Sequence, residues 1–79
     1  MKLEPAAEKL LRHMAEEHPL IDLVDAAEET GLTPAAAETA MLELCDAGYA
    51  KERTPASAWP NRAVQFDITA SGRRIASRL

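Results

Sequence analysis

The sequence predicts an α+β fold: a head of three helices, then two strands joined by a long loop, closed by a fourth helix. Three observations predict it. Apolar residues recur at helical spacing at Leu3, Ala7, Leu10, Leu11 and Met14, and again at Ala37, Ala40, Met41 and Leu44. Gly31 and Gly48 punctuate this first part where helices would stop. Beyond them Val64, Phe66 and Ile68 alternate with Gln65 and Asp67, the period of a half-buried strand. A chain of 79 residues is expected to form a single domain over 1–79.

The elements follow in order. A first helix is expected from Pro5 to about Glu17, with proline suited to the first turn. His18-Pro19 stops it, because a residue before proline avoids the helical region. Leu20-Ile21 is then a very short extended piece, long enough for one rung of a sheet. Asp22 can cap the next helix, and Asp25 places negative charge where the helix dipole is positive. Leu23, Val24, Ala26 and Ala27 supply its apolar stripe, Thr30-Gly31 ends it, and Leu32 follows as a buried plug. Thr33-Pro34 restarts the chain, the hydroxyl bonding orphan N–H groups and the proline fixing φ for the first turn. That third helix runs to Gly48. The spacing from Asp22 to Gly48 is that of a helix-turn-helix.

Tyr49 to Arg53 can run extended. Thr54 to Asn61 holds two prolines and no periodicity, so it reads as a loop. Ala63 to Ile68 is the partner strand, which makes the pair a long-looped hairpin. Thr69 can cap a closing helix over Ala70 to Arg78, with Ile75 and Leu79 as core candidates. Gly72 is expected to weaken that helix by about 1 kcal/mol relative to alanine.

Over nearly its whole length the chain resembles a winged helix-turn-helix domain of the kind found in bacterial, archaeal and phage transcription regulators. The residues that carry the resemblance are Gly31-Leu32-Thr33 in the turn, Ala40-Met41 with Leu44 in the second helix of the pair, and Asp46-Ala47-Gly48-Tyr49 entering the hairpin. The run from Thr69 to Arg74, with threonine, glycine and arginine at 69, 72 and 73, resembles the segment that often follows the wing. The resemblance implies a small winged helix-turn-helix with a β-hairpin wing. It also implies that the second helix enters the major groove while the wing touches the minor groove or backbone. By position the groove-facing residues are then Pro34, Ala35, Ala36, Glu38, Thr39, Leu42 and Glu43.

That helix departs from the usual chemistry. Reading base edges favours Arg, Lys, Asn or Gln, and this helix has none. Alanine and the threonine methyl can contact a thymine methyl, and glutamate can accept from cytosine, but each carboxylate is repelled by phosphate. The charge distribution sharpens the contrast. Up to Gly48 there are eleven acids against Lys2, Lys9 and Arg12, a net of −8. From Tyr49 onward Lys51, Arg53, Arg62, Arg73, Arg74 and Arg78 stand against Glu52 and Asp67, a net of +4. Such asymmetry bears on partners and not on fold.

Two function classes follow. The first is a winged-helix DNA-binding protein, a transcription regulator that holds double-stranded DNA through Lys51, Arg53, Arg62, Arg73 and Arg74, with Thr39 at the groove. The second is a protein-interaction module whose acidic half docks on a basic protein partner through Glu38, Leu42, Glu43 and Trp59. Its extreme form is a phage-type inhibitor or nucleic-acid mimic. Leu42 is either an exposed partner contact or a core residue one position out of phase. Trp59 is either an interface anchor or a lid over a core short of aromatics. A third reading is a homodimer formed through the first helix.

Catalytic chemistry is not indicated. His13, His18 and Cys45 lack metal-ligand spacing, so no metal or other cofactor is implied. His13 reads as a solvated or half-buried helix residue, and Cys45 as a small apolar core residue. The three glycines form no phosphate loop. The adjacent acids Glu16-Glu17 and Glu28-Glu29 diverge by about 100° on a helix and read as solvated faces. The expectation is a non-enzyme. One cysteine, no leader-like apolar run and no membrane-length span point to a cytoplasmic protein.

Overall fold

The computed structural model describes residues 3–53 and 65–79. Helix α1 (Pro5–Glu16) leads to strand β1 (Leu20–Asp22), and helices α2 (Leu23–Thr30) and α3 (Pro34–Asp46) follow. Strands β2 (Ala50–Glu52) and β3 (Gln65–Ile68) and helix α4 (Ala70–Ala76) complete the chain. The two strands are antiparallel, with Ala50 opposite Ile68, Lys51 opposite Asp67 and Glu52 opposite Phe66. The expected α+β order of helices, hairpin and closing helix is what forms.

Three of the four described helices start on a side-chain cap, while α1 starts on Pro5 with no side-chain cap from Glu4. The Asp22 carboxylate accepts from the Asp25 N–H at 2.8 Å, and the Thr33 hydroxyl accepts from the Ala36 N–H at 3.1 Å. Thr69 does the same for Gly72 at 3.0 Å. At the end of α3 the Tyr49 N–H donates to the Leu44 carbonyl at 2.8 Å and the Gly48 N–H to the Cys45 carbonyl at 3.0 Å. This is the Schellman arrangement, and it needs the positive φ of 81° that Gly48 adopts. It turns the chain out of α3 and straight into β2.

The core lies between α1, α3 and the inner face of the sheet. Ala7, Leu10, Leu11 and Met14 of α1 meet Ala40, Met41 and Leu44 of α3, while Ile21, Ala50, Phe66 and Ile68 close it from the sheet side. Small alanines let these helices approach closely, so among the described residues the core fills with Phe66 as its one buried aromatic.

Several expectations change. The piece at Leu20 is a full strand: Ile21 pairs with Phe66 and Asp22 with Gln65, which makes β3 the central strand of a three-stranded sheet. Val24 is 62% exposed and does not belong to the α2 stripe, because the short helix turns only Ala26, Ala27 and Thr30 fully inward. Leu32 is half-buried, not a full plug. Leu79, 44% exposed, lies beyond the end of α4 and outside the core, although Ile75 packs against it. Gly72 is buried at a contact, and the propensity argument misses its role.

Candidate nucleic-acid interface

The residues singled out from the sequence fall on three elements. On α3 the buried residues take one side, and Pro34, Ala35, Glu38, Thr39 and Leu42 share the other, all exposed. Leu42 is 55% exposed while its neighbour Met41 is fully buried, so the reading of Leu42 as core is excluded. Ala36 is half-buried at the edge of this face. Glu43 is drawn away: its Oε2 accepts from the Glu4 N–H at 3.0 Å, tying α3 to the start of α1. Of the seven groove-facing candidates, five remain free to meet a partner.

Lys51 and Arg53 lie on and just after β2, which packs against α3. Lys51 is exposed. Arg53 donates from Nη1 to Asp67 Oδ2 at 3.2 Å across the hairpin, while its own N–H continues the ladder to the Gln65 carbonyl at 2.8 Å. In the described strands Lys51 and Arg53 are matched by Glu52 and Asp67, so the cation excess of the second part lies elsewhere. Arg73 and Arg74 are exposed on α4, which packs chiefly against α1. Arg73 borders a shallow groove of about 380 Å³ with Arg12, Ala15, Glu16, Ala76 and Leu79. Arg73 therefore accompanies α1 and not the exposed face of α3. Arg62 and Trp59 lie outside the described residues.

Two features escaped the sequence reading. His13 Nε2 lies 2.7 Å from Glu29 Oε1, and His18 Nε2 lies 3.4 Å from the same oxygen, joining α1 to the end of α2. His13 Nδ1 also faces Glu17 at 3.6 Å. The pair Glu28-Glu29 is thus not simply a solvated face. Only tertiary packing brings these positions together, so no spacing in the sequence announces them. Among the described residues no group of three or more His, Cys, Asp or Glu is arranged to hold a metal. The second feature is a knot at the foot of the hairpin. The Thr69 hydroxyl donates to the Gly48 carbonyl at 2.7 Å, the Thr69 N–H donates to the Tyr49 carbonyl at 3.0 Å, and Gly72 lies against that same Tyr49 carbonyl. The Thr69-to-Arg74 run thus seats α4 on the corner between α3 and β2. Cys45 is half-buried at the core edge, where desolvation, with Asp46 and Glu52 nearby, raises its thiol above the ordinary range.

No protein-family model matches the sequence, and a search of curated proteins finds no match. Solved structures do match. The chain superposes on ZitR of Lactococcus lactis, a zinc-responsive MarR family member, with a TM-score of 0.79 and 23% identity over 98% of this chain and 51% of that one. A variant of ZitR in complex with DNA matches with a TM-score of 0.78 and 24% identity over 96% and 49%. The adhesin competence repressor AdcR of Streptococcus pyogenes matches with a TM-score of 0.80 and 21% identity over 98% and 55%. The fold is a winged helix-turn-helix. In it α2 and α3 are the helix pair, α3 is the helix presented outward, and β2 and β3 are the wing. The chain spans about half the length of the solved structures it matches. At these identities the likeness establishes the fold alone. No described helix is long and apolar enough to cross a membrane.

Proposed function

We propose that this protein is a winged-helix DNA-binding transcription regulator. The observation that supports this best is the outer face of α3: Pro34, Ala35, Glu38, Thr39 and Leu42 are left uncovered on a helix that packs against β2 of the wing. In this fold that face lies in the major groove. The matched structures add support, since one is a repressor and another was solved with DNA. On this reading Thr39 meets base edges, while Lys51 contacts phosphate from the wing. Arg53 keeps guanidinium donors beyond the one given to Asp67. Arg62, Arg73 and Arg74 supply further long-range attraction to the backbone, Arg73 from beside α1.

The test is fluorescence anisotropy with mixed-sequence duplexes at low salt. Binding at micromolar protein that weakens steeply with salt is expected. Lys51→Ala should weaken binding to all duplexes alike and lower the salt slope by about one. No salt-sensitive binding at micromolar protein would refute the proposal.

A further inference from the structure

The chemistry of α3 limits what it can read in a groove. From Pro34 to Asp46 there is no Arg, Lys, Asn or Gln, so no residue of the helix can form the bidentate pairs that identify guanine or adenine. The exposed face offers the ring of Pro34, the methyl of Ala35, the methyl and hydroxyl of Thr39 and the isobutyl of Leu42. Thr39 makes no side-chain hydrogen bond to any described residue, and Leu42 leaves 55% of its surface open. One carboxylate, Glu38, stands among them, and the second candidate, Glu43, is engaged by the Glu4 N–H. Asp46 lies at the far end of the helix. What remains is a patch of methyl groups around one carboxylate and the Thr39 hydroxyl.

Resting on the DNA-binding reading above, we infer that α3 recognises the C5-methyl groups of pyrimidines in the major groove. Thr39 and Leu42 make the apolar contact, and Glu38 accepts from an exocyclic amine such as cytosine N4–H₂. Thymine presents its methyl group at the floor of the major groove, and threonine and other apolar side chains are its natural partners. A methyl in that groove is the base-edge feature that needs no hydrogen bond from the protein. Affinity then comes from Lys51 and Arg53 of the wing with longer-range attraction from the other cations, and selectivity comes from apolar burial on α3.

The experiment compares duplexes that differ only in that methyl. Anisotropy titrations use a 20-base-pair alternating dA·dT duplex against the same duplex with deoxyuridine for thymidine. A second pair is alternating dG·dC with and without 5-methylation of every cytosine. The methylated member of each pair should bind more tightly, by roughly fourfold for each methyl contacted. In Thr39→Ser with Leu42→Ala the preference should fall to about one while the salt dependence persists. Both positions are exposed, so the variant is expected to fold, and circular dichroism checks it. Equal, salt-dependent binding to the methylated and unmethylated members would overturn this inference and leave the DNA-binding reading standing. A methyl preference that survives in the double variant would also overturn it. Absence of binding to all four duplexes would overturn both.

Discussion

Replacing Gly72 with alanine sets two physical arguments against each other. Helix propensity alone favours alanine by about 1 kcal/mol. The structure reverses the sign. A Cβ at this position would clash with the carbonyl oxygen of Tyr49, while standing 2.8 Å from Ile68 Cγ1 and 3.1 Å from the Tyr49 carbonyl carbon. The obstacle is backbone, and it is held in place. Its oxygen accepts from the Thr69 N–H at 3.0 Å, and the neighbouring Gly48 carbonyl accepts from the Thr69 hydroxyl at 2.7 Å. Helix α4 can retreat only by stretching those bonds. Overpacking costs about 1–3 kcal/mol, and a rigid obstacle belongs at the upper end. Less the propensity gain, the expected net loss is about 2 kcal/mol. For a domain of this size each kcal/mol corresponds to about 4–8 °C, so Tm should fall by about 8–16 °C. Thermal unfolding followed by circular dichroism reads this directly. An unchanged or higher Tm would show that the contact is slack and that propensity decides.

Four further outcomes are expected. Thr69→Ala removes both the α4 cap and the bond to Gly48 and should cost about 1–2 kcal/mol in urea unfolding, with Thr69→Ser recovering most of it. Met41→Ala should cost about 2–5 kcal/mol, whereas Leu42→Ala should stay within about 0.5 kcal/mol; similar losses at both would contradict the phase of α3. Arg53→Ala breaks an exposed cross-strand pair and should change stability by less than about 1 kcal/mol, so a larger loss would mean that the wing depends on it. Burial raises the Cys45 thiol above its ordinary 9.0. Above about pH 9 the unfolded chain releases a proton that the folded chain retains, so stability should decline there as pH rises. Cys45→Ala should flatten that decline, and Cys45 should react with iodoacetamide more slowly at pH 8 than a free thiol.

Local rules account for most of the fold. Asp22, Thr33 and Thr69 cap helices because a short oxygen-bearing side chain answers orphan N–H groups wherever it precedes a helix, and that is visible in three or four letters. Gly48 ends α3 for a similarly local reason. The errors share a different cause. Val24 and Leu79 are apolar, yet short or ending elements leave them outside the core. Gly72 looked like a weak helix residue because the Tyr49 carbonyl against it lies on another element. At the candidate interface, the sequence already showed that α3 lacks base-reading side chains. It could not show that Leu42 is open, that Glu43 is tied to Glu4, or that Arg53 is partly neutralised by Asp67.

The sequence by itself determined the order of helices and strands, the α3 stripe that faces the core, and the supply of charges available to a partner. These depend on periodicity, caps and composition, all of which act over a few residues. Only the tertiary structure decided which charges are paired, that a Cβ at Gly72 would meet the Tyr49 carbonyl, and that Arg73 lies beside α1. Those properties depend on distances between residues far apart in the chain, and such distances exist only once α1, the sheet and α4 have closed around the core.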